Sequence, residues 1–115
     1  MKPTEKDGVR IQVENPYLEN YYIALFYEND DGEYTLDGAV DEAWITPPDN
    51  LKDLARWSDS RMIAMLFTTC RKNGVDLAEL IERMSTCVHP EASKTSISGI
   101  LLGALKDYGF PENKA

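Results

Sequence analysis

The spacing of apolar positions in this chain changes period once, from two to near four. Val9-Arg10-Ile11-Gln12-Val13 alternates apolar and polar, the mark of a strand with one wet face. Tyr21 to Tyr27 is aromatic or aliphatic throughout, with Ile23, Leu25 and Tyr27 on one side and Tyr22, Ala24 and Phe26 on the other. Such a strand is either buried on both faces or central with an aromatic outer surface. Asn29-Asp30-Asp31-Gly32 reads as a hairpin, because Asp-Gly supplies the positive φ angles of a tight reversal. Tyr34-Thr35-Leu36 and Val40 to Thr46 then form one interrupted strand or two short ones, broken at Asp37-Gly38. In the second piece Val40, Glu42, Trp44 and Thr46 point opposite to Asp41, Ala43 and Ile45.

Beyond Pro47-Pro48 the period becomes helical. The two prolines end the strand, and Asp49 or Asn50 can accept hydrogen bonds from the first free helical N–H groups. Leu51, Leu54, Ala55, Ser58, Met62, Met65, Leu66, Thr69 and Cys70 recur at three- and four-residue steps and define one stripe, predicted to face the core. Asn73-Gly74 supplies the left-handed stop, with Arg71 and Lys72 beside the last carbonyls. The whole rod would run about 35 Å and carry the rest of the fold, with Leu51, Met62 and Leu66 on its buried side.

Helical spacing resumes after Asp76, a cap for a short helix facing inward through Leu77, Leu80, Ile81 and Met84. Ser85 to Lys94, containing Pro90, is a polar connection. Thr95 or Ser96 caps a last helix whose stripe is Ile97, Ile100, Leu101, Ala104, Leu105 and Tyr108, closed by Gly109; Phe110-Pro111 folds back on the core. Gly99 and Gly103 each cost this helix about 1 kcal/mol relative to Ala, which predicts close approach of another backbone. Internal contact with the long helix is the first reading, and a helix-to-helix homodimer seam the alternative. The expected architecture is α+β: an N-terminal antiparallel β-meander of three to four strands packed on one long helix plus two shorter C-terminal helices. Residues 1–8 are a loose lead-in, 9–110 a single domain and 111–115 a polar tail.

Composition narrows the functional classes. With 115 residues and 43% apolar content the chain has enough material for one core. Its net charge of −8 is uneven: residues 1–49 sum to −9 and residues 50–115 to +1. The acidic strand half disfavours bulk nucleic-acid binding, since carboxylates repel the phosphate backbone. It reads as a solvated face, with a docking surface for a basic partner as the alternative. No apolar run reaches the ~18 residues of a membrane span and residues 1–8 lack a signal-peptide core, so a cytoplasmic protein without membrane contact is expected.

Candidate chemistry is sparse. Cys87-Val88-His89, with Cys70 nearby, falls short of a four-ligand zinc set, and Cys70 reads as a small core residue. Asn29-Asp30-Asp31-Gly32 fails as a calcium loop, because Gly32 at the sixth place would put Tyr27 at the first ligand place. Neither phosphate-binding glycine loop occurs. No metal, no cofactor and no catalytic set is therefore expected. The remaining candidate is a ligand pocket built from Arg56, Trp57, Arg61, Tyr22 and Trp44, because aromatic faces and guanidinium groups together suit a nucleotide. Core packing of the same aromatics is the competing reading.

Taken in order, several pieces resemble the TSCPD domain, a module near the C-terminus of adenosylcobalamin-dependent (class II) ribonucleotide reductases that also occurs alone, often in phage and bacteria. They are the hairpin from Tyr22 to Gly32, Val40-Asp41-Glu42-Ala43-Trp44-Ile45-Thr46, Gly74-Val75-Asp76-Leu77-Ala78-Glu79-Leu80-Ile81, and Thr95-Ser96-Ile97-Ser98-Gly99-Ile100. The second is similar to the family's E-x-F-I-T strand and the third to its G-V-x-L-E-E-L-I. The last lies where the naming Thr-Ser-Cys-Pro-Asp would stand, but Ile97, Ser98 and Gly99 replace Cys, Pro and Asp, so no thiol or metal role carries over. The resemblance implies a non-catalytic accessory or binding protein of ribonucleotide reduction or nucleotide metabolism, self-associating as a homo-oligomer, with a nucleotide ligand or a reductase as partner. The alternative, by analogy of build, is a phage-type oligomeric sponge that sequesters a nucleotide signal.

Overall fold

The computed structural model describes residues 8–14, 20–27, 39–49 and 51–110. The elements are β1 (Gly8–Glu14), β2 (Asn20–Tyr27), β3 (Val40–Thr46), α1 (Leu54–Lys72), α2 (Leu77–Ser85) and α3 (Ile97–Tyr108). The α+β architecture is thus as expected, with three strands before three α-helices among the described residues. The hairpin at Asn29-Asp30-Asp31-Gly32 and the strand at Tyr34-Thr35-Leu36 lie outside the described residues, as do residues 1–7 and 111–115.

The sheet is antiparallel in the order β1-β2-β3, so β2 is central. Tyr21, Ile23, Leu25 and Tyr27 on its inner face are fully buried, while Tyr22, Ala24 and Phe26 on the outer face are half-buried. β3 departs from strict alternation. The register slips between Phe26 and Tyr27, so that Phe26 faces Glu42 but Tyr27 faces Val40, leaving Asp41 as the extra residue. This bulge turns Val40 into the core rather than onto the side of Glu42 and Trp44, where period two alone places it. Asp41, buried at the bulge, is ion-paired with Lys72.

α3 is the most deeply buried helix. It crosses the inner face of β2 and β3 with Ile97, Ile100, Leu101, Ala104 and Leu105, while α2 buttresses it through Leu77. Caps stand where expected: Asp76 accepts from the Glu79 N–H and Ser96 from the Gly99 N–H, both at 3.0 Å. Gly74 has φ of 85°, the left-handed residue after α1. Phe110 packs on the core. The foot of α3 is tied to the strands, since Tyr27 donates its hydroxyl to the Tyr108 carbonyl (2.7 Å) and Val40 its N–H to Gly109 (2.9 Å).

Three expectations for the helices are corrected. The long helix begins at Leu54, because Leu51 donates back to the Pro48 carbonyl in a turn and Asp53, in extended conformation, caps the N–H groups of Ala55 and Arg56. Its buried residues are Ser60, Ala64, Phe67 and Thr68, whereas Leu54, Met62, Met65 and Leu66 are 57–75% exposed. The predicted stripe therefore points away from the core. The backbone that closes on Gly99 is that of Ser93 in the loop before α3, whose carbonyl would lie 2.4 Å from an added Cβ; Gly103 faces open space.

α1 lies along the outer edge of β3, running antiparallel to it. Thr68 Oγ1 accepts from the Ala43 N–H (3.0 Å) and donates to the Ala43 carbonyl (3.1 Å). Arg71 donates Nε to the Val40 carbonyl (2.7 Å) and Nη1 to that of Val75 (2.6 Å). Side chains of α1 thus take up backbone groups that an outer strand leaves unpaired.

Candidate functional site

The connection from β3 to α1 opens a surface cleft of about 570 Å³, lined by Thr46, Pro47, Pro48, Asp49, Leu51, Leu54, Trp57 and Arg61. Its shape follows from the sequence. Pro47 and Pro48 carry the chain off the sheet, the turn at Pro48–Leu51 brings it back, and Asp53 fixes where the helix starts. Trp57 and Arg61, one helical turn apart, then share a wall of the cleft, with the guanidinium carbon 5.5 Å from the indole centroid. Trp57 is 48% exposed, so part of its surface meets solvent. Asp49, an exposed residue of the cleft lining, adds carboxylate oxygens.

The other three predicted site residues are placed differently. Tyr22 and Trp44 lie on the outer face of the sheet. Arg10 stacks over the Tyr22 ring at 4.4 Å, and Trp44 donates Nε1 to Glu42 Oε2 at 2.8 Å. Both adjoin the cleft through Thr46, which is the cross-strand partner of Tyr22 and follows Trp44 on the same face. Arg56 does not line the cleft. Its Nε donates to the Tyr21 hydroxyl (3.0 Å) and its Nη2 to the Thr95 carbonyl (3.1 Å), which makes it a clamp between α1, β2 and the loop before α3. Two of the five residues thus form the cleft wall, two border it and one has a structural task.

A second concavity escaped the sequence reading. Between α1 and α2 runs an apolar groove of about 340 Å³, formed mainly by Ile63, Leu66, Phe67, Leu80, Met84 and Val88. Cys70 and Cys87 also line it, Cys70 half-buried and Cys87 exposed. The signal was present in the two helical periods, but a groove needs the angle between the helices, which periodicity does not contain. His89 is committed locally, since its Nδ1 accepts from the Glu91 N–H at 3.1 Å and caps the short 3-10 turn Pro90–Ala92. Among the described residues no group of three or more His, Cys, Asp or Glu side chains could hold a metal ion. Among the same residues no helix is long and apolar enough to cross a membrane. Comparison with protein families, with curated proteins and with solved structures finds no match.

Proposed function

We propose that this protein is a non-catalytic nucleotide-binding module, working in the cytoplasm as a homo-oligomer in nucleotide metabolism, as its resemblance to the TSCPD domain implies. The observation that carries the reading is the Trp57–Arg61 pair on the wall of an open cleft. An indole face accepts a purine or pyrimidine by stacking, a guanidinium accepts phosphate oxygens in bidentate fashion, and Asp49 can accept from ribose hydroxyls. The adjoining aromatics Tyr22 and Trp44 extend the stacking surface along the sheet. A reductase subunit is the partner that the same resemblance names. The sponge reading is favoured by one feature: Leu54, Trp57 and Arg61 belong both to the cleft and to the solvent-facing side of α1, so a ligand there could be enclosed by a neighbouring subunit.

Calorimetric titration with deoxynucleoside triphosphates, cyclic dinucleotides and cyclic ADP-ribose isomers tests the cleft. Binding that falls at least tenfold in Arg61→Ala and in Trp57→Ala, with both variants folded, is the expected result. No binding by any of these ligands, or an Arg61→Ala variant with unchanged affinity, would sink the proposal. Recovery of unaltered ligand after denaturation would distinguish sequestration from turnover.

A further inference from the structure

α1 is apolar on two sides. Ser60, Ala64, Phe67 and Thr68 are turned to β3 and α3. The opposite side carries Leu54, Ser58, Met62, Met65, Leu66 and Thr69, with Arg61 at its margin and Lys72 at its C-terminal end drawn to Asp41. A helix with solvent on its outer face ordinarily carries charged side chains there. Here Leu54 is 75% exposed, Met62 63%, Met65 57% and Leu66 58%. Together the four side chains present roughly 450 Å² of mostly apolar surface, well within the range of the largest patch a monomer leaves open.

This stripe does not stand alone. Leu66 also forms the lip of the groove between α1 and α2, so protruding methionines and an apolar depression adjoin on one continuous face. A protrusion and a recess side by side on the same molecule satisfy what a two-fold contact demands, since each copy must offer both halves of the fit. Methionine suits the protruding role, being unbranched and able to fill an irregular recess. Doubling the stripe buries about 900 Å², and the groove walls of both copies bring the total to about 1,200 Å², the size at which stable interfaces begin.

We infer that the outer stripe of α1 is the seam of a two-fold homodimer, in which Met62 and Met65 of each copy lie against the groove lined by Leu66, Leu80 and Met84 of the other. This deepens, and rests on, the oligomeric part of the function proposed above; Leu54 is shared with the cleft, while Met62, Met65 and Leu66 belong to the seam alone.

Light scattering coupled to size exclusion, and sedimentation velocity over a concentration series, test it on the full chain. Twice the monomer mass is expected for the unaltered protein. Met62→Glu and Leu66→Glu, both at exposed positions and so compatible with a native circular dichroism spectrum, are each expected to raise the dimer dissociation constant at least tenfold. A monomer at every concentration, or a dimer that neither substitution weakens, would overturn the seam. Met84→Glu is a second probe from the groove side, expected to weaken the dimer in parallel. Arg61→Ala separates the two proposals: loss of nucleotide binding with the dimer intact bears on the cleft alone, and loss of the dimer in Leu66→Glu with the cleft still titrating bears on the seam alone.

Discussion

Replacing Thr68 by Val tests how α1 is held to the sheet. Valine has nearly the same shape and similar helix propensity, so the substitution removes one hydroxyl and little else. That hydroxyl accepts from the Ala43 N–H at 3.0 Å and donates to the Ala43 carbonyl at 3.1 Å, in buried surroundings. Both backbone groups point away from β2, toward the helix. Each of the two groups left unpaired costs about 1–3 kcal/mol, and the added methyl returns about 0.8 kcal/mol of burial, so the net loss is about 1–5 kcal/mol, centred near 3. Thr68→Ser keeps the hydroxyl and loses a methyl, a cost of about 1 kcal/mol. Equilibrium urea unfolding measures both: with a slope of about 1–3 kcal/mol/M, Thr68→Val should lower the midpoint by about 1–2 M and Thr68→Ser by less than half of that. The ordering carries the argument. A Val variant no less stable than the Ser variant would mean that the hydroxyl is not what joins α1 to β3.

Three further substitutions probe other parts of the fold. Gly99→Ala places a methyl about as close as 2.4 Å to the Ser93 carbonyl and should cost about 1–3 kcal/mol, while Gly103→Ala, facing open space, should gain about 0.5–1 kcal/mol from helix propensity; thermal melts of the pair check both signs. The Tyr27 phenol is pushed up from 10.0 to about 12, chiefly by burial and then by the neighbouring Tyr108. Its folded value lies above its unfolded one, so the unfolded chain loses the proton first and stability falls as pH rises from about 10 to about 12, by roughly 2–3 kcal/mol in all. Alkaline unfolding followed by tyrosinate absorbance should show this step, and Tyr27→Phe should abolish it while costing about 1 kcal/mol at neutral pH through the lost bond to the Tyr108 carbonyl.

Most element types and several boundaries were legible because they rest on local chemistry. The strand at Val40–Thr46, the caps at Asp76 and Ser96 and the left-handed Gly74 all follow from residues within four positions of the feature. What could not be read depends on partners distant in sequence. The bulge at Asp41 follows from pairing with Phe26 and Tyr27, and nothing in Val40-Asp41-Glu42 alone signals it. Arg56 was a candidate for ligand contact because arginine beside tryptophan suits phosphate; its commitment to Tyr21 and Thr95 needed three elements to meet. Trp57 and Arg61 were found because a single helical turn is enough to bring them together.

The reversal of α1 shows what decides which face of a helix turns inward when both are apolar. Counting hydrophobic residues favours the side of Leu54, Met62, Met65 and Leu66, yet that side is exposed. The side that packs carries Ser60, Thr68 and Arg71 among its residues and is the poorer in large apolar groups. Its advantage is hydrogen bonding. Among the described strands β3 is an outer one, and its Val40 carbonyl together with the Ala43 N–H and carbonyl find their partners on α1. The face bearing Thr68 and Arg71 satisfies them, and Ser60, whose hydroxyl returns to the Arg56 carbonyl at 2.8 Å, is small enough to let the helix approach. Leaving three such groups unmet would cost about 3–9 kcal/mol, comparable to burying four or five partly exposed aliphatic side chains. Turning the polar-bearing face to the sheet satisfies the strand and leaves the larger apolar stripe outside, where a second copy of the helix can cover it; the exposed leucines and methionines are then a consequence of how the edge of β3 is closed.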